Sequence, residues 1–390
     1  MNLRERAEQN ESYIIERRRY YHTCPELSGQ EVETAKSIKA DLEAMGIEAS
    51  LCSTCNGVVG IIRGGKPGKT VALRADIDAL SVVEETGLPF ASKNEGAMHA
   101  CGHDNHIAML LGGAKILTEV KDELPGTVKL LFQPAEEIAT GAKQMIEEGV
   151  LDGVDAIYGA HIWGDFDAPL VDVSGGNRMA CCDGFTIEVN GVSTHGSSPQ
   201  LGTDALVAAA AIVQDLQSYV SRNNNPLNPC VVTIGTINGG QRFNIIANKV
   251  VMEGTVRTFS RETLATIEED LRRIVKNTAE AFGASADVTK YNHMTPPLIN
   301  DNEEINAIAR AAAVKLFGEE GVGNLPTMMG SEDYAFFLEK VPGIYAFIGS
   351  RDAEHPYINH HEKYDVPEDV LKRGAAMYAQ FAADYLEAKA

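Results

Sequence analysis

A short segment of the chain, His99-Ala100-Cys101-Gly102-His103-Asp104-Asn105-His106, carries one thiol, three imidazoles and a carboxylate. Packing alone does not explain this density, because His and Asp are costly to bury unless something pairs with them. Thiolate and imidazole ligands at Cys-x-His spacing suit a divalent transition metal. The segment therefore predicts part of a metal site, with Cys101 and His103 as its first candidate ligands.

Further groups that bind metals or move protons follow predicted strands elsewhere in the chain. They are Asp76 and Asp78 after 71–73, Glu136 and Glu137 after 128–132, His161 after 156–160, and His360 and His361 in the loop after 344–348. Ligands of an open parallel sheet bind beyond the carboxyl ends of its strands. We therefore expect these groups to converge with Cys101 and His103 at one edge of a sheet.

The number of candidate ligands indicates more than one metal ion. One Cys, three His and one Glu are too many for a single tetrahedral zinc ion. They suit two ions that share a bridging ligand, as in two-metal hydrolytic sites. Adjacent side chains diverge, so one of Glu136 and Glu137 can bind a metal while the other takes a proton from a water.

The elements that must position these groups alternate between strand and helix over most of the 390 residues. This alternation predicts an α/β fold with a mixed, mainly parallel sheet flanked by helices. Between 181 and 292 the order changes to βαββαβ, which is typical of a ferredoxin-like α+β unit. The chain is thus predicted to form one domain from 1–180 and 293–390, with a second domain inserted at 181–292.

Composition limits the partners and the compartment. The 34 Lys and Arg against 55 Asp and Glu give a net charge of −21, which argues against nucleic acid or a membrane as partner. We expect a cytoplasmic protein, because no secretory signal and no membrane-spanning run is predicted. Its seven Cys are then mostly free thiols. Cys52-Ser53-Thr54-Cys55 has the spacing of a redox or zinc pair, but no second pair supports it.

Four motifs in order carry a family resemblance. They are Met98-His99-Ala100-Cys101-Gly102-His103-Asp104, Phe132-Gln133-Pro134-Ala135-Glu136-Glu137, Gly330-Ser331-Glu332-Asp333 and the late His360. Together they resemble the M20 metallopeptidase family over nearly the whole chain. The match is closest to its amidohydrolase branch, which contains aminoacylases, hippurate hydrolases, indole-acetyl-amino acid hydrolases and N-acetyl-diaminopimelate deacetylases. The resemblance implies a zinc-exopeptidase-like fold and hydrolysis of an amide bond.

The resemblance also implies roles for the clustered residues. The implied metal ligands are Cys101 as the bridge, with His103, Glu137, His161 and His360. Glu136 would be the general base, and Asp76 would orient one of the ligands. Alignment on Tyr364-Asp365 favours His360, with His361 as a rival. Two divalent ions are implied; thiolate and imidazole suit zinc, although manganese, cobalt or nickel also occupy mixed sites.

In the inserted domain the resemblance implies a lid and a dimerisation surface, and hence a homodimer or a higher homo-oligomer. His195, in Thr194-His195-Gly196, would reach the active site of a second subunit and stabilise the oxyanion. Asn244 and Arg257 would hold the carboxylate of the substrate, and a guanidinium suits that task because it binds carboxylate with two parallel hydrogen bonds. Glu332 has two interpretations, as a cap of the following helix or as a residue that lines the pocket.

These observations predict a metal-dependent amidohydrolase that cleaves N-acyl-amino acids or related amides. The alternative is a carboxypeptidase or dipeptidase that uses the same two-metal site and the same Arg257. A third alternative is a metal-dependent binding or sensing protein that has lost catalysis. The complete set of ligands with Glu136 argues against that third alternative.

Overall fold

The computed structural model describes residues 2–390 and divides into two compact units. The first unit contains 2–176, Ile299–Pro326 and Asp333–Ala390. The second contains Asn177–Leu298 and Thr327–Glu332. The limits of the second unit lie a few residues outside the predicted 181 and 292, and it also takes in Thr327–Glu332, a segment that the sequence places in the first domain.

The first unit is built on a seven-stranded sheet in the order β1-β2-β4-β3-β5-β13-β6. Its strands are β1 (Glu48–Leu51), β2 (Val58–Arg63), β3 (Lys66–Asp76), β4 (Pro125–Gln133), β5 (Ala156–Asp167), β6 (Val171–Asp172) and β13 (Gly343–Arg351). Strands β4, β3, β5 and β13 are parallel to one another, whereas β1, β2 and β6 pair in the antiparallel sense. The predicted mixed, mainly parallel sheet is confirmed.

Helices cover this sheet. They are α1 (Leu3–Gln9), α2 (Glu11–Thr23), α3 (Val32–Ala44), α4 (His103–Val120), α5 (Gly141–Glu147), α8 (Glu303–Phe317), α9 (Ala335–Leu338) and α10 (Leu371–Ala388). Strand β13 is buried from Gly343 to Ser350, as expected for a parallel strand that is covered on both faces. Helix α4 is buried over nearly its whole length, because it packs against β3 as well as α2 and α10. The loops at the carboxyl ends of the parallel strands are thereby anchored to a rigid core.

The second unit contains the predicted βαββαβ order. The elements of this order are β8 (Cys182–Asn190), α6 (Ala205–Ser218), β9 (Cys230–Gly239), β10 (Lys249–Thr258), α7 (Arg261–Ala281) and β11 (Ser285–Thr295). Two short strands, β7 (Gly176–Met179) and β12 (Leu298–Asn300), flank it in the sequence. The order of its four-stranded antiparallel sheet is β11-β8-β10-β9, and apolar side chains of α6 and α7 share a core with it. Ser260 caps α7 by accepting a hydrogen bond from the Thr263 N–H at 3.1 Å.

The strand β9 forms one edge of the antiparallel sheet and is mostly exposed.

Among residues 2–390, no helix combines the length and the apolar character that crossing a bilayer requires.

Candidate metal centre

The turn before α4 places Cys101 and His103 side by side. Gly102 lies between them with φ +92°, and a Cβ there would lie 2.7 Å from Ile162 Cγ2. Only glycine fits both the left-handed backbone and this close approach. The turn therefore presents the thiol from the loop and the imidazole from the first residue of α4.

The other four predicted ligands converge around the Cys101 thiol. Cys101 Sγ lies 3.5 Å from His161 Nε2 and 3.3 Å from His360 Nε2. Glu137 Oε1 lies 3.6 Å from His360 Nε2 and 3.9 Å from His103 Nε2. Cys101 belongs to two groups whose ligand atoms all lie within 4.8 Å of one another, one with His103 and His161 and one with Glu137 and His360. A ligand shared by two groups is the arrangement that a bridged pair of ions needs.

The histidine rings present lone pairs to this cluster. His161 Nδ1 donates to the Ile162 carbonyl at 2.6 Å, and His103 Nδ1 donates to the Asp78 carbonyl at 3.0 Å. Because a carbonyl oxygen only accepts, both Nδ1 atoms carry protons and both Nε2 atoms are acceptors in the neutral rings. His103 Nε2 and Glu137 Oε1 are buried without a hydrogen-bond partner. Such groups are costly to bury, and a cation between them would satisfy both.

The electrostatics of the cluster also favour added positive charge. Burial, together with the nearby carboxylates of Glu137 and Glu136, holds the pKa of the Cys101 thiol well above its usual value. Burial alone would lower the pKa of His103, but the carboxylates of Asp76, Asp78 and Glu137 raise it to about 10. A divalent cation among these groups would offset the excess of negative charge. The thiol, imidazole and carboxylate donors present in the structure therefore fit two divalent metal ions.

Asp78 contacts His103 directly, whereas the role expected of Asp76, which lies 3.8 Å from His103 Nε2 through its Oδ2, stays a prediction. Asp78 Oδ1 lies 3.1 Å from His103 Nδ1, and Asp78 Oδ2 accepts the Glu137 N–H at 3.1 Å. Asp78 thus positions two ligands at once. It lies beyond the end of β3, where the chain has already turned away from the sheet.

Asp76 also contacts a neighbouring histidine. It accepts hydrogen bonds from His106 Nδ1 and, at 2.6 Å, from Arg74 Nη1. His106 Nε2 accepts the Ile162 N–H at 2.8 Å. Both nitrogens of His106 are therefore engaged within the protein, which leaves the ring to support the strand that carries His161.

The loop that carries His360 is fixed by Asn359. The Asn359 amide donates to the Cys101 carbonyl at 2.8 Å and accepts the Gly164 N–H at 2.8 Å. The His360 N–H donates to the Ala100 carbonyl at 2.7 Å, and His360 has φ +73°. A positive φ outside glycine is strained and persists only where the surroundings hold it. The sequence contains no spacing signal that singles out Asn359.

His361, the rival of His360, faces away from Cys101. Its Nδ1 accepts the Lys363 N–H at 3.0 Å, and its ring stacks on Tyr357. The structure therefore places His360, and not His361, beside the thiol.

The two adjacent carboxylates occupy a strained turn. Ala135 and Ala139 on either side of Glu136-Glu137 both have φ +54°. The buried Glu31 accepts the Ala135 N–H at 2.8 Å, and Glu136 Oε1 accepts the Asp333 N–H at 3.4 Å. Glu136 also lies within 4.8 Å of ligand atoms of His103 and Glu137. The turn thus places the Glu137 carboxylate among the histidines and the Glu136 carboxylate beside them.

The residues predicted in the second unit lie on its loops and strands. His195 pairs with Ile245 in a β-bridge, and the Gly196 N–H donates to the Asn244 carbonyl at 2.8 Å. The exposed His195 ring accepts the Ser197 N–H at its Nδ1, 3.1 Å away. In the neutral ring the proton therefore lies on Nε2, which is then a donor.

Arg257 and Glu332 also lie in the second unit. Arg257, on β10, donates to Ser331 Oγ at 3.0 Å. Glu332 is buried, and α9 begins without a side-chain cap. Both interpretations of Glu332, as a helix cap and as a residue that lines the pocket, stay predictions.

Comparison with known proteins agrees with the residues assembled here. The model of peptidase family M20/M25/M40 matches residues 72–384. The chain is 41% identical to N-acetyl-L-cysteine deacetylase of Bacillus subtilis over 97% of the chain and 89% of that protein. It is 40% identical to thermostable carboxypeptidase 1 of Saccharolobus solfataricus over 96% of each.

A solved structure adds a match in three dimensions. The YxeP protein of Bacillus subtilis, described as a dinuclear metal binding peptidase from the M20 family, superposes with a TM-score of 0.85 at 36% identity. The match covers 97% of this chain and 99% of that one. The predicted family is thus confirmed by sequence and by fold, and the chain is a hydrolase that belongs to peptidase family M20/M25/M40.

Proposed function

We propose that the chain is a metal-dependent amidohydrolase that cleaves the amide bond of N-acyl-amino acids. The observation that carries this proposal is the convergence of Cys101, three histidines and two glutamates, with unpaired buried acceptors turned toward one another. The similarity to an N-acetyl-L-cysteine deacetylase supports an acyl-amino acid as substrate.

Two divalent ions are part of this proposal, with Cys101 as the shared ligand and His103, Glu137, His161 and His360 as the others. The dinuclear site described for the related YxeP protein supports that number. When bound, such ions polarise a carbonyl and lower the pKa of water held between them. We favour zinc because thiolate and imidazole are its typical ligands, with manganese, cobalt and nickel as the other candidates.

The side chains of the protein then do the proton transfers. Glu136 takes a proton from the attacking water, and the same carboxyl group returns it to the nitrogen of the leaving amine. Glu136 suits this task because it lies beside Glu137 but is held by the Asp333 N–H instead of by Asp78. Its carboxylate is thus close to the predicted ligands.

The second unit is proposed to bind the charged groups of the substrate. His195 donates from Nε2 to the developing oxyanion in the site of a second copy of the chain. Arg257 and Asn244 hold the carboxylate of the amino acid. The buried Asn244 Oδ1 has no hydrogen-bond partner among residues 2–390, which supports a role in binding a further group.

We also propose a cytoplasmic homodimer or higher homo-oligomer that forms through the second unit. Large apolar side chains there are exposed, among them Phe243 at 98% and Leu201 at 72%. Exposed apolar surface of this kind is typical of protein contacts.

The test is a substrate panel run with the metal content of the same preparation measured. N-acetyl-, N-benzoyl- and fatty-acyl-amino acids are compared with dipeptides. We expect hydrolysis of the acyl-amino acids, its loss on chelation, and its return when one of the four metals is added back. Activity that survives complete removal of metal would contradict the proposal.

The second candidate is a carboxypeptidase or dipeptidase that uses the same site. The 40% identity to a thermostable carboxypeptidase favours keeping it. Higher kcat/KM for dipeptides than for every acyl-amino acid in the panel would establish this candidate in place of the first.

A further inference from the structure

The turn between β1 and β2 brings two thiols together. The sulfurs of Cys52 and Cys55 lie within 4.8 Å of each other and of a Glu148 oxygen, and both cysteines are half-buried free thiols. None of these residues belongs to the cluster around Cys101. The pair needs an explanation of its own.

Glu148 is committed to holding the shape of this turn. Its carboxylate accepts the Ser53 N–H at 2.7 Å and the Thr54 N–H at 2.6 Å, and it also accepts both of their hydroxyls. The Cys55 thiol donates to Glu148 Oε1 as well, at 4.0 Å. Because five donors reach its oxygens, Glu148 is poorly placed to bind a metal. Two thiols without further ligands do not complete a tetrahedral zinc site, so the pair favours redox chemistry over metal binding.

The two thiols have different surroundings. Cys52 Sγ lies against Gly57, where a Cβ would be 2.9 Å away, and close to Met145. The neighbouring Cys52 thiol lowers the pKa of Cys55 although burial and the Glu148 carboxylate oppose this, whereas Cys55 and burial raise the pKa of Cys52. The difference matches Cys-x-x-Cys pairs in which one sulfur attacks and the other resolves.

We propose that Cys52 and Cys55 form a thiol–disulfide exchange site for the disulfide of a low-molecular-weight thiol. The Cys55 thiolate attacks one sulfur of the small disulfide, forms a mixed disulfide and releases one small thiolate. The Cys52 thiol then loses its proton, its sulfur attacks Cys55 Sγ, and the second small thiolate leaves. The protein is oxidised by two electrons, and one small disulfide becomes two small thiols.

A chain of hydrogen bonds connects this turn to the carboxylate pair. Asn56, next to Cys55, donates to Glu31 Oε2 at 3.2 Å, and Glu31 Oε1 accepts the Ala135 N–H at 2.8 Å. Ala135 directly precedes Glu136 in the strained turn. Closing the disulfide changes the position of Asn56, so we expect a several-fold fall in kcat. The expected fall in kcat rests on the proposed function, whereas formation of the disulfide does not.

The experiment exposes the metal-loaded protein to bis(2-hydroxyethyl) disulfide and maps its disulfides by peptide mass spectrometry. We expect a Cys52–Cys55 bond that excess 2-mercaptoethanol removes. The variant C52S lacks the resolving thiol and should retain one mercaptoethanol adduct on Cys55. C24S is the matched control, since Cys24 is an exposed cysteine away from the pair, and it should behave like the wild type.

Several outcomes would overturn the proposal. They are the absence of the bond in the wild type, modification of other cysteines before this pair, and bound zinc whose amount falls in the double variant C52S/C55S. The wild-type peptide map decides the question even if a variant folds poorly.

Activity before and after oxidation tests the coupling. Oxidation should lower kcat in the wild type and not in C52S/C55S. Inactivation that persists in the double variant would assign the effect to another thiol such as Cys101 and would overturn the coupling, as would an unchanged wild-type kcat. A protein that forms the bond but hydrolyses no substrate would refute the proposed function and leave the exchange site standing.

Discussion

The candidate residues of the two units are held in contrasting ways. In the first unit the ligands are mostly buried, and their rings are fixed by other residues; Asp78 alone contacts both His103 and Glu137. In the second unit His195 is exposed, and within residues 2–390 its ring is hydrogen-bonded to Ser197, two residues away. The side chains of the first arrangement hold one another in place. In the proposed function, a substrate and a second copy of the chain supply further contacts to the second arrangement.

The contrast teaches how each group is prepared for its task. A cluster that must hold cations benefits from rigid ligands, because less ordering is required when the ions bind. A donor that meets an oxyanion from another chain must remain accessible until that chain and the substrate are in place. Variants of residues that hold the ligands should therefore change metal affinity, whereas variants of His195 should change kcat.

The largest effect is expected for Glu136→Gln in the first unit. The amide keeps the size of the side chain but cannot accept the proton of the attacking water. We expect kcat to fall by about 10²–10⁴-fold, the usual contribution of a general acid–base group. Metal content measured in the same sample should stay near the wild-type value. A variant with wild-type kcat would remove Glu136 from the mechanism.

The counterpart in the second unit is His195→Ala. Loss of one oxyanion donor typically lowers kcat by about 10²–10³-fold. The metal content should not change, because His195 is not among the predicted ligands. Ser197→Ala is the matched control: the Ser197 backbone N–H still donates to His195 Nδ1, so kcat should change little.

Mixing the two inactive variants tests where His195 acts. If His195 serves the site of a second copy, a mixed dimer of Glu136→Gln and His195→Ala contains one site with both groups intact. Activity should then reappear when the two variants are unfolded together and refolded as a mixture. If His195 serves its own chain, no complete site can form and the mixture stays inactive.

A smaller effect is expected for Asp78→Ala, which removes the contacts that orient His103 and Glu137. Residues that hold metal ligands in place typically contribute about 10–100-fold in metal affinity. Competition with a chelator measures this loss. Ser28→Ala is the control, because Ser28 donates to Asp78 at 2.7 Å without contacting a predicted ligand. If Ser28→Ala lowered metal affinity as much as Asp78→Ala, the effect of Asp78 would not arise from its contacts with His103 and Glu137.

The sequence predicted the groups that follow strands but not those that position them. His161 and Glu137 could be located because they follow apolar strands whose carboxyl ends meet at one edge. Asn359 could not, because its contact with the Cys101 carbonyl joins residues 258 positions apart. Glu31 contacts Ala135 across 104 positions. Asp76 and Asp78 are both carboxylates after the same strand, so only the path of the backbone distinguishes them.

The smallest effect concerns the stability of the second unit. Asp183 is buried on β8, accepts hydrogen bonds from Tyr291 and His293, and has one oxygen without a partner. Burial raises its pKa despite these two donors. In the first unit burial would also raise the pKa of Asp104, but Arg18 and His22 outweigh it and lower the pKa well below its usual range.

The two aspartates should therefore respond to pH with opposite sign. A lowered pKa stabilises the fold above the unfolded value, and this contribution is lost only as the pH falls through the folded pKa. A raised pKa has the opposite effect. As the pH falls, the folded state binds the proton at a higher pH than the unfolded state does, so its stability increases until the pH reaches the unfolded pKa of about 3.9. Mild acid should thus reduce the free-energy cost of burying the Asp183 charge, while the stabilisation from the ionised Asp104 remains.

Asp183→Asn removes the charge and should abolish that gain, with a change in unfolding free energy within about 1 kcal/mol at neutral pH. Hydrogen exchange of β8 and β11 peptides, corrected for intrinsic rates, measures the second unit at about pH 7 and about pH 5. Fluorescence of Trp163, the single tryptophan, follows the first unit as a control. His293 contacts both Asp183 and Glu268, and the difference between wild type and variant isolates the contribution of the aspartate. An equal pH response in both proteins would show that burial of Asp183 carries no such cost.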